Sequence, residues 1–520
     1  MKFPPQAIAF YIPLSKFPFL SARATQETSD HLRTALHNLA QVFPKLPIYS
    51  NARFDATLSL KDLAHEFGFT GFTIIDSDSE AHFFSTIAEQ LPPSRTGDPD
   101  WDEASFIVLD GIFPLLDPQL SREIAERHDT FLAQYSYSEN LPVGIVPRIL
   151  SREFVRSLPA NFTGSTQDFL AKNINHYDTE IFYHSPDLRQ WRLDFSLLDL
   201  RSVLLVNSFL AKKKDWKYEE ILPFLLSNPD AFRVGPSYME LELFGGRLRE
   251  SNIYPASKLT ENRTESRIEP SLLNSLIEQH RSNFGTEYSV CFGGLGEPIL
   301  HPRFPECIDI VLKSASLKEL FIETDLFDDI RKLKQSFENR TKEELSKICL
   351  IINLSTWNKK TYAALYGYDG FDTVVRNLDE ISQVLPKSSI YLQFLKLKEI
   401  DSELDSWYET TEKAGYGIIL QKYNSYAGKL PERRAADLTP LEKEFCWHLA
   451  RDLYVNADGS VAICKQQPGT ASRSLGNLNS QPLLDIWKKG HPFFALSANG
   501  KHKEIPAPCL SCDEWYTFNA

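Results

Sequence analysis

Four cysteines near the C-terminus have the type and spacing for metal chemistry: Cys446-x17-Cys464-x44-Cys509-x2-Cys512. Thiolate is a soft ligand, and four of them close a tetrahedral site that suits a cubane [4Fe–4S] cluster or a structural zinc ion. Ligand count leaves both metals open. All four lie in the last 75 residues, in a short segment where a C-x2-C pair joined by two more cysteines is an uncommon coincidence. Cys291, Cys307 and Cys349 are scattered through strand-like and helix-like stretches, where a buried thiol acts as a small hydrophobe. Seven cysteines in 520 residues do not make a disulfide scaffold.

Two further stretches carry candidate chemistry. CFGGLGEPILHP, at 291–302, sets Gly293, Gly294 and Gly296 before Glu297-Pro298. Glycines let a backbone approach a ligand, and a carboxylate accepts hydrogen bonds from an ammonium. SFIVLDG ends on Asp110, a strand-end carboxylate of the kind that can hold Mg²⁺ against nucleotide phosphates. The plainer reading is that Asp110 ends a strand and Asp117 caps a helix, and Asp76 and Asp78 are weighed in the same way. His301 and His448 are expected to be structural or at the surface rather than ligands.

The elements that must position these groups are α/β throughout. AIAFYIP, FTIID and SFIVLDG alternate with helix-period segments and predict an open α/β sheet over 1–165, whose ligands would bind beyond the carboxyl ends of the strands. Residues 166–230 read as a helical connector. Over 231–430 six strand candidates, SYMELEL, YSVCF, LFIET, CLIINLS, SIYLQFL and GIILQKYN, predict a partial parallel barrel. A polar, proline-bearing linker spans 427–444, and 441–520 forms a small cysteine-rich domain in which Asp458-Gly459 makes a hairpin turn that delivers Cys464.

Composition bounds the rest. A net charge of −13 and a pI near 5.5 argue against nucleic acid as a partner. Pro4, Pro5, Pro13 and Pro18 interrupt the apolar N-terminus, and no apolar run reaches the roughly 20 residues of a membrane helix. The expectation is a cytoplasmic protein with no membrane partner.

CWHLARDLYVNADGSVAIC, LGNLNSQPLLDIWKKG and CLSC together resemble the SPASM domain appended to many radical S-adenosylmethionine (SAM) enzymes. Gly459 and Cys464 match its Gly-x4-Cys hairpin, and the chain resembles the shorter type, which implies one auxiliary [4Fe–4S] cluster on Cys446, Cys464, Cys509 and Cys512, with zinc as the alternative. Radical SAM domains are partial (β/α)6 barrels, and CFGGLGEPILHP resembles their GGE-type motif. That resemblance implies SAM contacts from Gly293, Gly294, Gly296 and Glu297, and from Ser355 at the end of CLIINLS.

The family's C-x3-C-x2-C is missing. Its register falls on GGRLRESNIYP, putting Arg247, Ser251 and Tyr254 in place of the three cysteines and keeping Pro255. No cysteine occurs before residue 291, and the third-strand motif reads Thr324-Asp325-Leu326. A SAM-cleaving cluster needs three thiolates and an open iron, which these residues cannot supply. The implied reading is a pseudoenzyme that keeps the auxiliary cluster and binds SAM or a peptide or protein partner. The alternatives are an active radical enzyme with atypical ligation and a zinc-stapled binding protein.

QKYNSYAGKLPERRAADLTPLEKEFCWHLARDL, with the upstream α/β domain, resembles the spirochete spiro-SPASM proteins. SFIVLDGIFPLLDPQLSREIAERH and ENLPVGIVPRIL resemble a nucleotidyltransferase fold, which would make Asp110 its metal carboxylate and nucleotidyl transfer a further alternative. The loop after the first strand lacks glycine and offers only Lys16 and Arg23 to phosphates.

Overall fold

The computed structural model describes residues 1–22, 26–51, 60–77, 79–95, 102–159, 161–247, 249–259, 266–436, 445–467, 474–506, 509–512 and 514. Asp78 and Arg23 lie outside them. The chain forms two compact units, Met1–Ala231 and Phe232–Ala520.

The first unit is built on seven strands: β1 (Ile8–Tyr11), β2 (Pro47–Ser50), β3 (Gly71–Ile74), β4 (Ser105–Asp110), β5 (Tyr135–Ser138), β6 (Arg148–Ser151) and β7 (Thr179–Phe182). Their order is β3-β2-β1-β4-β6-β5-β7. β6 runs antiparallel to both its neighbours and the other pairings are parallel. β1 and β4 are the centre, and IAFY and SFIVL are buried throughout, as expected for strands covered on both faces. Strand order reverses between them, which opens a crevice beyond their carboxyl ends, where Tyr11 and Asp110 stand. Segment 166–230 contributes β7 to this sheet as well as helices.

In the second unit β8 (Tyr238–Leu241), β9 (Tyr288–Phe292), β10 (Leu317–Thr324), β11 (Ile348–Asn353), β12 (Ile390–Lys396) and β13 (Gly417–Lys422) run parallel in chain order. Helices such as Phe304–Leu312 and Phe371–Ile381 cross between them. Alternation sets the two faces: Met239, Leu241, Ile322, Leu350 and Ile352 pack outward under the helices, while Glu240, Glu323 and Asn353 point inward. One cavity is lined from all six strands, so the sheet curls into a partial (β/α)6 barrel.

The C-terminal segment completes this sheet. β14 (Asp452–Val455) pairs parallel with the free edge of β8, and β15 (Ser460–Ala462) and β16 (Ser474–Asn477) follow antiparallel. The β14–β15 turn is the one expected at Asp458-Gly459. Gly459 has φ of +80°, and a Cβ there would meet Asn479 Nδ2 at 2.5 Å. Arg233 fastens the segment from the start of the unit. Its Nε donates to the Leu449 carbonyl at 2.8 Å, and its guanidinium lies 3.5 Å over the Trp487 ring. No helix among the described residues is long and apolar enough to cross a membrane.

Candidate functional site

The four C-terminal cysteines come from three local structures. Cys446 caps the helix Trp447–Arg451 and donates its backbone N–H to Ser497 Oγ at 2.9 Å. Cys464 follows β15, and Cys509 and Cys512 lie in the terminal turn. Burial raises the Cys446 thiol well above its ordinary range, and the other three cysteines raise it further. Cys464 is pushed up to about 12, by burial and then by Cys512 and Cys509. The four sulfurs are thus close enough to repel one another as thiolates in a buried place, and a cationic centre is what would relieve that repulsion. Among the described residues no three His, Cys, Asp or Glu side chains stand in a ready-made ligand arrangement. Donor type and mutual charge fit an iron–sulfur cluster or zinc; a closed ligand geometry is not preformed.

His448 lies beside this centre. Its Nδ1 contacts Asp452 Oδ2, and His448 is 5% exposed, so it is a packed structural residue as expected. His301 is also structural, with Nε2 at 3.1 Å from the Ile268 carbonyl and Nδ1 accepting the Arg303 N–H at 3.1 Å.

The GGLGEP loop ends β9, and Glu297 Oε1 within it is buried with no hydrogen-bond partner among the described residues. Gly294 has φ of +88°, and a Cβ on it would meet Glu242 Cβ at 3.0 Å and Tyr454 Oη at 3.2 Å, so the left-handed backbone and the close approach together favour glycine. A Cβ on Gly293 would meet Cys291 Sγ at 3.1 Å. The buried Glu297 carboxylate accepts the Asp325 N–H at 3.0 Å, and the Glu297 N–H donates to the Gly246 carbonyl at 3.0 Å.

Arg247, at the first of the three cysteine registers, reaches into this loop. Its Nε donates to the Leu295 carbonyl at 2.6 Å and its Nη1 pairs with Asp325. Burial disfavours the guanidinium, yet Asp325, Glu297 and Glu323 hold its affinity for the proton above the ordinary value. Burial first and Asp325 second raise Glu297, with Arg247 opposing. The Arg247 guanidinium thus answers the Leu295 carbonyl and Asp325, while Glu297 Oε1 stays without a hydrogen-bond partner among the described residues.

Ser251 and Tyr254 are likewise committed. Ser251 Oγ accepts the Ile253 N–H at 3.1 Å. Tyr254 stacks on Tyr423, with centroids 5.5 Å apart, and its hydroxyl accepts the Asn424 N–H at 3.1 Å. Ser355 Oγ accepts the Leu395 N–H at 3.0 Å, which ties β11 to β12.

The barrel interior was not legible from periodicity in the sequence. A cavity of about 210 Å³ is walled by Glu240, Glu323, Asn353, Gln393, Gln421 and Lys465, among others. Gln393 Nε2 donates to Asn353 Oδ1 at 2.8 Å, and Asn353 Nδ2 donates to Asp325 Oδ1 at 3.1 Å, a chain that ends at Arg247. Burial pushes Glu240 up to about 7, with Lys465 opposing and Glu323 adding to the shift. Glu323 is raised too, by burial first. The one trace in the sequence is a single carboxyl within each of the strands YMEL and FIET, which does not tell an inward side chain from a solvated one.

In the first unit the crevice expected beyond β1 and β4 is a cavity of about 550 Å³, walled by Tyr11, Glu80, Asp110, Tyr137, Arg148 and Asp194, among others. Asp110 does not face it as a free ligand. Arg148 Nε donates to Asp110 Oδ2 at 2.6 Å and Nη2 grips the other oxygen, a bidentate pair. Asp117 is the helix cap it was expected to be, accepting the Gln119 and Leu120 N–H groups at 2.9 and 3.0 Å. Asp76 is exposed.

Residues 446–513 match the SPASM family, described as an iron-sulfur cluster-binding domain. An uncharacterized protein of Treponema pallidum (strain Nichols) is 26% identical over 355 residues, 67% of this chain and 96% of that protein. Loose similarities to solved structures accompany these. The Streptococcus suis SuiB structure bound to precursor peptide SuiA is 12% identical with a TM-score of 0.41, over 54% of this chain and 70% of that one. anSMEcpe with bound AdoMet is 15% identical with a TM-score of 0.39, over 51% and 81%. A cytidylyltransferase from Leptospira borgpetersenii is 12% identical with a TM-score of 0.33, over 44% and 96%.

Proposed function

We propose, from the premise that residues 446–513 are a SPASM iron–sulfur domain, that this chain is a radical-SAM-type barrel that has lost radical generation and kept one auxiliary cluster. Cys446, Cys464, Cys509 and Cys512 would hold a [4Fe–4S] cluster, which supplies one-electron redox chemistry when bound. The observation that carries the loss is Arg247. It stands at the first cysteine register, cannot ligate iron, and pairs with Asp325 and the Leu295 carbonyl. On this reading GGLGEP persists as a scaffold: Gly294 admits Glu242 and Tyr454, and Glu297 fixes the turn after β10.

Anaerobic reconstitution followed by iron, sulfide and zinc assays tests the reading. About four irons per chain are expected, lost in Cys509→Ala, with no 5′-deoxyadenosine formed from SAM under strong reductant. About eight irons with SAM cleavage would overturn the loss of radical chemistry. Zinc without sulfide would convert the centre to a structural staple.

A further inference from the structure

The charges around the barrel cavity do not balance. Its acidic walls are Glu240, Glu323, Asp325 and Glu514, against the basic Arg247 and Lys465. Arg247 is committed to Asp325. Lys422, with Nζ 3.5 Å from Glu514 Oε1, answers Glu514. Lys465 is left facing both Glu240 and Glu323, one cation against two carboxyl groups. Glu514 adds a second observation: it is 5% exposed, and its Oε1 accepts no hydrogen bond among the described residues although it borders the cavity.

We propose that this cavity binds a primary alkylammonium, free or as the lysine side chain of a peptide, between Glu240 and Glu323. An ammonium is all donor and no acceptor, and carboxyl and side-chain amide oxygens are the acceptors on offer here. At about 210 Å³ the cavity is smaller than the roughly 300–1,000 Å³ of drug-sized ligand sites, and suits a single side chain or a short amine. Burial and mutual repulsion disfavour the charged forms of Glu240 and Glu323, and an ammonium between them would favour those forms. The proposal deepens the cluster reading, since Lys465 and Glu514 flank two of the cysteines.

Calorimetric titration of anaerobically reconstituted full-length chain tests it, with iron measured on the same sample. The probes are cadaverine, a lysine-containing peptide, the same peptide with norleucine, and glutarate. Cadaverine or the lysine peptide is expected to bind saturably, and which of the two binds tighter identifies the source. Glu240→Gln and Glu323→Gln, near-isosteric changes whose folding is checked by thermal melting, should each weaken binding roughly tenfold or more. Glu240, faced by Lys465, Glu323, His448 and Asp452, takes a value of about 7. Amine affinity should therefore rise roughly tenfold from about pH 6 to about pH 8. Equal binding of glutarate or the norleucine peptide, or unchanged affinity in both variants, overturns the proposal. Iron present with no amine binding sinks this proposal alone; amine binding with no iron sinks the cluster reading alone.

Discussion

Arg247 and Asp325 form an ion pair at the carboxyl ends of the barrel strands, and the same guanidinium donates to the Leu295 carbonyl at 2.6 Å. Both side chains are largely buried, at 21% and 12% exposure, so removing one leaves the other without compensation. Arg247→Met should cost about 3 kcal/mol, because Asp325 and Glu297 are left together in a low-dielectric place. Arg247→Met with Asp325→Asn should recover at least half of that loss. Urea denaturation of the four proteins in this cycle measures the coupling. Additive losses would mean that the pair does not hold the loop.

Glu297 gives the second unit a pH signature. Its carboxyl is raised by burial and by Asp325, so the folded state holds a proton that the unfolded chain releases near its ordinary value of 4.5. Stability from this group is fully present below that value and is lost as pH rises through the raised one, by at most ~1.4 kcal/mol per pH unit. Glu297→Gln keeps an acceptor for the Asp325 N–H and removes the titration. The variant should lose less stability than the parent between about pH 5 and pH 8, read as the shift of the urea midpoint.

Much of the fold could be read in the residues, and the misses have physical causes. SFIVLD and IAFY are continuous apolar runs that only a strand covered on both faces requires, and they are β4 and β1. The short β5, β6 and β7 carry polar residues such as Ser136 and Arg148, so no run betrays them. Cys446, Cys464, Cys509 and Cys512 stand out because their spacing and clustering near the C-terminus are visible in the sequence itself. Glu240 and Glu323 do not, since an inward carboxyl and a solvated one read alike until the curl of the sheet is known. The pairing of β14 with β8 joins residues more than 200 apart and has no local signal.

If the four cysteines hold the proposed centre, its loss should act on that pairing. Cys446 opens the helix that leads into β14, and β14 covers the free edge of β8. Chelation of the metal, or Cys509→Ala, should raise amide exchange in 445–462 and in β8, whose edge would lose its partner. Strands β1 and β4, in the other compact unit, should keep their protection. Uniform loss across both units would mean that the centre supports the whole chain rather than this segment.

His128 gives the first unit a pH dependence of the opposite sign. It is 5% exposed, Nδ1 lies 2.7 Å from Ser136 Oγ, and burial takes it from the usual 6.5 to about 4. A neutral imidazole is what the folded state accommodates, so protonation favours the unfolded chain. Stability from this residue is present above pH 6.5 and falls as pH drops toward 4, by about 3 kcal/mol in total. His128→Gln keeps a polar group for Ser136 and cannot take up the proton. Acid should therefore shift the unfolding midpoint of the first unit less in the variant than in the parent between about pH 7 and pH 5. Tryptophan fluorescence with urea follows this through Trp191 and Trp216, both in that unit. Equal acid sensitivity would show that His128 is already charged in the folded protein.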